Sequence, residues 1–478
     1  MAYSIPLLPK DKVKNMASSR KILQIGVLTV GFALSQAFRT IPTIAASGIA
    51  VDMHAGPPEL ATFSAAFHWS FALSQIPIGL SLDVLGVRRT ALTVPWLTII
   101  GAAMCYFAPN FAMLFVGQLL IGIGCAPALM AAMVFVTKHW DRTKFASVSG
   151  FVLAAGGTGM LLTGTPLAWT IEHWSWRAAF LVMALIATAA LALASIVLDA
   201  DLPESSKRAP SFIEAIVGLK GVLVGRRAIA LMAIGFVSYG AAITLRGLWL
   251  VPMFMDRHHI PLVMAGNIAF AVSVVMIGAP ALVGWLDPGE GRRVPGIVGM
   301  SLALAAAFFL LAATSNLNSH FDIVICLFIA LVSAFYVLAY AEVRRSYPPS
   351  MVGRGLTAFN MAMFLGAAIQ QTLSGFVGQA ALNEGFPPAN AVMTFLGVVL
   401  VLGSLSFAVL IVCPRAEADP SKGGQPELSP PEADGRSSLV ASHALSAAGD
   451  NCEAHVKIRQ PAKVWPNDDS RCNDTGPT

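Results

Sequence analysis

The chain has 478 residues, 56% of them hydrophobic and only 12% charged, with a mean hydropathy of +0.70. A soluble globular protein carries roughly 25% charged residues, so this balance excludes an ordinary cytosolic enzyme, a disordered chain and a nucleic-acid binder. The net charge of +5 reports membrane topology and no acidic partner, as the placement of Lys and Arg shows.

A membrane helix needs about 20 mostly apolar residues. Twelve such runs follow one another, over 22–50, 59–81, 90–108, 111–136, 146–170, 178–199, 228–255, 262–286, 294–314, 321–342, 355–380 and 391–413. The expected fold is all-α and polytopic, with twelve transmembrane helices in two six-helix bundles. Residues 1–21 form a basic N-terminal tail (Lys10, Lys12, Lys14, Arg20, Lys21). It runs into an apolar stretch too long for a signal peptide, so no cleaved leader is expected.

The first span carries Arg39 near its middle, just before Pro42. The second carries His68, the single histidine placed in a span interior. Between spans two and three stands Gly79-Leu-Ser-Leu-Asp83-Val-Leu-Gly86-Val-Arg88-Arg89. Its glycines suit close backbone approach and a sharp turn. Span four has Gln118 ahead of Gly122 and Gly124, and span five is rich in glycine and holds Pro166. Trp176-Arg177 opens span six. The longest interior connection, 200–227, separates the halves 22–199 and 228–413, and contains Pro203-Glu204.

Span seven holds Tyr239, Arg246, Trp249 and Pro252, and span eleven holds Asn360, Gln370 and Gln371. Tyr336 and Tyr340 share a face of span ten at i, i+4. Residues 414–478 hold 10 of the 26 acidic groups among Pro, Ser and Gly, a composition that cannot bury a core. Cys105, Cys125 and Cys326 fall inside apolar runs and read as small buried hydrophobes; with Cys413, Cys452 and Cys472 they show no disulfide or zinc spacing.

Placing both termini in the cytoplasm puts 27 of the 31 Lys and Arg on that side and only Arg177 and Arg257 outside. Arg39 and Arg246 are the remaining two. This asymmetry fits twelve spans in a plasma (bacterial inner) membrane. The halves also echo each other. Asp83 and Asp287 are 204 residues apart, Arg39 and Arg246 207, and Lys144 and Arg354, like Gly156 and Gly366, 210. A duplicated six-helix unit with a site between its halves is a transporter architecture.

The stretch from Gly79 to Arg89 resembles the signature loop of the major facilitator superfamily. Trp176-Arg177 and Pro203-Glu204 also recur there. The resemblance spans the apolar body to about Cys413 and implies a secondary transporter working by alternating access. It also implies that Gly79, Asp83, Gly86, Arg88 and Arg89 gate the cytoplasmic side, with Asp83 latching the halves in the outward-facing state; topogenic charge and a tight turn are the plain alternative. Asp287, followed by Pro288 and Gly289, would be a degenerate copy.

An arginine at bilayer depth costs about 2.5–3.5 kcal/mol on insertion scales and persists where it faces a partner or a wet cavity. Every acidic residue falls in a loop, a helix end or the tail. Arg39 and Arg246 therefore have no counter-ion in the spans, and an anionic substrate is the expected one, since a guanidinium grips carboxylate, phosphate or nitrate bidentately. The pair also resembles the organic-anion and organophosphate-phosphate exchanger branch. Snorkelling, or capping of carbonyls freed by Pro42 and Pro252, is the structural alternative. His68, Asn360, Gln371, Tyr239 and Trp249 complete the expected binding set, each also able to serve as interhelical packing; His68 could instead titrate and couple protons.

The reading is a transporter for a small organic or inorganic anion: a monomer in the bilayer, without enzymatic activity, cofactor, metal or nucleic acid. The coupled or exchanged ion stays open. Two other readings also stay open: a proton-coupled drug or metabolite exporter, which the missing intramembrane carboxylate disfavours, and a transporter-like sensor. His258-His259 beside Asp256 offers at most an adventitious metal site.

Overall fold

The computed structural model describes residues 10–199, 225–314, 318–348 and 351–412. Residues 1–9, most of the central connection with Pro203-Glu204, and the tail with Cys413, Cys452 and Cys472 lie outside the described residues. The described residues all belong to one compact unit.

The described residues form helices and no strands. Eleven helices are long and apolar enough to cross a membrane. They are α1 (Ser19–Met53), α3 (Gly86–Phe107), α4 (Phe111–His139), α5 (Ser147–His173), α6 (Trp176–Val197), α7 (Arg226–His258), α8 (Leu262–Trp285), α9 (Arg293–Ala313), α10 (Ser319–Ser346), α11 (Val352–Asn383) and α12 (Pro388–Ile411). The twelfth, α2 (Pro57–Val84), is the right length, but its buried face carries Ser64, His68, Ser70, Ser74 and Gln75. Those polar groups, packed inside the protein, lower its apolarity below that of the other spans. Along the outer surface Leu73, Trp285, Ile196 and Val409 are exposed, as side chains facing lipid are.

Helices cross closely where a glycine removes the side chain. A Cβ on Gly159 would run into the Ala33 carbonyl, and one on Gly366 into that of Phe236. The first packs α5 on α1 and the second α11 on α7; Gly156, the sequence partner of Gly366, also packs α5 on α1, against the Phe32 ring. The signature loops match too: Gly86 has φ +83° and Gly289 φ +80°, left-handed turns closed to most side chains. Gly79 departs from expectation. A Cβ there would meet only the Met130 side-chain tip at 3.4 Å, an ordinary contact, so no close backbone approach occurs at that glycine.

One membrane face, the terminal face, carries the connections near 85, 140, 199, 289 and 348. The far face carries those near 55, 109, 174, 260, 314 and 385. The hydrogen bonds described between the halves run from mid-membrane to the far face. They include Thr165 to Asn267 at 2.6 Å, Trp69 to Thr372 at 3.3 Å and Thr43 to the Leu248 carbonyl at 3.4 Å. Pro252 deprives that carbonyl of its helical donor, and Thr43 replaces it from the other half. At the terminal face, Arg20–Asp199, Arg227–Glu342 and Arg293–Asp287 each join elements of one half.

Candidate functional site

Proline and π-turn geometry set the site. Pro42 has no N–H and crowds the Phe38 carbonyl. Accordingly α1 breaks at Arg39 and Thr40, resuming at Ile41. In α7 the residues Leu245–Trp249 form a π-turn, a geometry that recurs at functional sites, and Arg246 lies on it. Both arginines therefore leave the backbone at irregular turns of pseudo-symmetric helices.

Arg39 is 4% exposed and Arg246 1%. The Arg39 guanidinium carbon lies 5.6, 5.4 and 5.1 Å from the ring centroids of Phe67, Phe71 and Phe364. Its Nη1 donates to the Tyr239 hydroxyl at 2.7 Å, across the half interface. A desolvated cation–π contact contributes about 2 kcal/mol, so rings and a phenol hold this cation. Nε of Arg39 has no partner.

Arg246 reaches the other way. Its Nε donates to Ser273 Oγ at 2.8 Å, and its Nη2 to the Met160 carbonyl at 3.2 Å and to Thr163 Oγ1 at 3.3 Å. Nη1 has no partner. Met160 lies where α5 is interrupted around Thr163 and Gly164, ahead of Pro166. Carbonyl capping thus accounts for one Arg246 nitrogen, at a break in α5, while the carbonyl above Pro252 is served by Thr43. Thr163 also shares a hydrogen bond with Thr40 at 2.6 Å.

Five of the expected residues come together. His68 is fully buried, with neither ring nitrogen bonded. Gln371 accepts from Ser64 at 3.3 Å and donates to the Ile243 carbonyl at 3.3 Å. Tyr239 packs on Phe364, with ring centroids 5.2 Å apart. Buried unpartnered atoms also include Ser35 Oγ, Gln36 Oε1, Thr244 Oγ1, Gln370 Oε1 and both Gln118 amide atoms. Buried polar groups are ordinarily paired; Arg39 Nε, Arg246 Nη1 and the two His68 nitrogens stand out on that count.

The other two expected residues lie apart. Tyr239 leads through Tyr336 to Tyr340, whose hydroxyl donates to Asn360 at 3.0 Å, toward the terminal face. Trp249 donates to Ser374 at 2.9 Å and lines a cavity of about 520 Å³ near the far face, with Arg257, Asp256 and Asn390. Sequence reasoning missed Phe67, Phe71 and Phe364 as the aromatic wall of Arg39. It also missed Thr40, Thr163 and Ser273. The i, i+4 spacing of Phe67 and Phe71 beside His68 was the available signal.

Two acids at helix ends prove to be buried. Asp322, fully buried, accepts from Arg257 at 2.7 Å, His258 at 2.9 Å and Thr314 at 3.1 Å. Glu342, 1% exposed, pairs with Arg227. They stand at opposite ends of α10 with cations of their own. Arg257, counted as an outer-loop charge, is thereby part of a buried ion pair. Among the described residues no group of three potential ligands could hold a metal.

In the signature loop Asp83 and Arg89 are exposed, and Arg88 donates to the Ser195 carbonyl at 3.4 Å. Asp287 is clamped within its own loop by Arg293 (2.7 Å) and by the Gly289 N–H (3.0 Å). Those bonds, Arg293's first, hold its carboxyl below the usual range. Asp52 of α1 accepts from Trp176 at 2.9 Å and Arg177 at 2.5 Å, fastening α6 to α1.

The family model of the Major Facilitator Superfamily matches residues 28–370. The chain is 26% identical over 448 residues to the "Uncharacterized transporter YybO" of Bacillus subtilis, covering 86% of this chain and 98% of that one. It is 21% identical over 439 residues to the "Probable galactarate/D-glucarate transporter GudP" of the same organism, covering 82% and 93%. The solved structure of a D-xylose-proton symporter superposes with a TM-score of 0.66 at 15% identity, over 81% of this chain and 97% of that one; at such identity the likeness is one of fold.

Proposed function

We propose that this chain, which belongs to the Major Facilitator Superfamily, is a transporter that carries a small organic anion by alternating access, with Arg39 and Arg246 as the gripping groups. One observation carries the reading. Two buried guanidiniums, one from each half, each keep an N–H without a partner, and no carboxylate neutralises either among the described residues. A carboxylate would take those N–H groups in charge-assisted bonds. An anion held by both halves would also link occupancy to their movement. The galactarate/D-glucarate name of a relative supports a carboxylate over phosphate or nitrate. A sugar diacid would offer one carboxylate to each arginine and its hydroxyls to His68, Gln371 and Tyr239.

On this reading the terminal face is cytoplasmic in a plasma membrane. The bonds at mid-membrane and the far face close the outward path, and Asp83 engages the opposite half once the terminal face shuts. The test is a thermal-shift screen of the purified protein, followed by uptake into vesicles. Galactarate is set against galactitol, the neutral polyol of the same skeleton, because a ligand stabilises the state it binds. Stabilisation by galactarate and not by galactitol is expected; equal responses to both, or a response to none of the screened anions, reject the anion site.

A further inference from the structure

His68 is the one histidine among the described residues that lies away from both membrane faces; His54, His139, His173, His258, His259 and His320 stand at helix ends or just beyond them. It is fully buried, and both ring nitrogens lack partners. A neutral imidazole has one N–H to donate and one bare nitrogen to accept a proton. The Ser64 carbonyl and the Gln371 side chain lie beside the ring, but neither closes a hydrogen bond with it.

Its neighbours give this a direction. The His68 ring lies 6.2 Å from that of Phe364, close to parallel at 25°, and the same ring receives the Arg39 guanidinium at 5.1 Å. Phe67 is a second shared neighbour, 5.3 Å from His68 and 5.6 Å from Arg39. The charged and titratable groups gathered around this pair are Arg39 itself on α1, Cys125 on α4, Tyr239 on α7 and Tyr336 on α10. The α11 wall contributes Phe364 and Gln371, which do not titrate. Glu59 and Asp83 stand at the two ends of α2, and Asp322 and Glu342 at the two ends of α10. Arg39 is therefore the permanent charge that His68 meets, and it is a cation.

Burial disfavours any charge at His68; beside that, two like charges repel strongly where water is excluded, so the bare Arg39 also opposes a proton there. An anion seated on Arg39 reverses that sign. We propose that His68 is a proton-binding site linked to the anion site, so that anion and proton bind together and cross the membrane as a pair. The inference rests on the anion reading of Arg39. A proton from water at the open face adds to a free ring nitrogen and leaves to water on the other side, with no other bond made or broken. Linkage is reciprocal: if the anion raises proton affinity, the proton tightens anion binding by the same factor.

The experiment is calorimetric titration of the purified full-length protein with galactarate between pH 6 and 8, in paired buffers of different protonation enthalpy. Carboxyl groups ionise near pH 4, so galactarate stays charged throughout. We expect net uptake of up to one proton per anion. We also expect an apparent Kd that falls by as much as tenfold per unit of decreasing pH, between the two histidine pKa values. His68→Gln gives up one contact to the sugar hydroxyls and should bind galactarate more weakly; the binding that remains should carry no proton uptake and a flat pH profile. Binding by the unaltered protein without proton uptake overturns the proposal, as does His68→Gln taking up the same proton. The first of these needs no variant. Failure of galactarate and of the other screened anions to bind at any pH removes the anion site and this linkage together.

Discussion

The hydroxyls of Thr40 and Thr163 lie 2.6 Å apart, and each has an arginine at hand. Thr40 follows Arg39 in the chain, and Thr163 accepts from Arg246 of the other half at 3.3 Å. Both threonines are fully buried. A displacement of either cation is thereby felt at the break in α1 and the break in α5, the two places where regular helix has already been given up. Thr163→Val keeps the shape and removes this junction. We expect anion affinity to fall about fivefold to tenfold, the scale of one hydrogen bond at about 1 kcal/mol, as measured by titration calorimetry.

Removing either guanidinium has a larger effect. Hydrogen bonds to charged groups contribute about 1.5–3 kcal/mol, so Arg39→Ala or Arg246→Ala weakens galactarate binding by roughly 10- to 150-fold, and vesicle uptake is lost. Arg39→Lys does not restore it, since an ammonium cannot supply the planar fork. Unchanged uptake in either alanine variant that still inserts in the membrane would sink the assignment.

The Asp322 cluster concerns stability. Breaking a buried ion pair by removing one partner costs about 3–5 kcal/mol, because the other charge stays buried. Asp322→Ala leaves Arg257, whose side chain is 7% exposed, without its carboxylate. A clear drop in melting temperature in detergent is expected, whether or not an anion is present. A melting curve like that of the unaltered protein would show that the cluster is not a structural tie.

Close crossings give a third handle. Overpacking a tight contact costs about 1–3 kcal/mol. Gly159→Ala and Gly366→Ala each drive a methyl group into a backbone carbonyl, whereas Gly299 has nothing within 4 Å of its added Cβ. Thermal melts should place the first two variants well below Gly299→Ala. Equal melting of all three would mean that the helices separate at little cost.

Asp83 bears on turnover. If it fastens the terminal face only after that face closes, Asp83→Asn slows the transport cycle several-fold and leaves galactarate affinity within a factor of two or so, since a neutral amide forfeits the ion pair without touching the site. Counterflow rates beside equilibrium binding separate the two quantities; a normal rate removes the latch.

The sequence by itself determined the twelve spans, the duplication and the two intramembrane arginines. These follow from quantities that are local or additive: about 20 apolar residues per crossing, a near-constant offset between repeats, and the expense of a charge in lipid. Tertiary structure alone decided what each charge meets. Asp322 and Arg257 are 65 residues apart, and no spacing rule joins them. Arg39 and the Phe364 ring come together because α11 packs against α2 across the half interface. Trp249 and Asn360, sound candidates by composition, were carried to opposite sides of the arginines by α7 and α11 running their full lengths. The orphaned nitrogens of His68 are the clearest case, since a missing partner is a property of everything packed around a residue and cannot be read from its place in the chain.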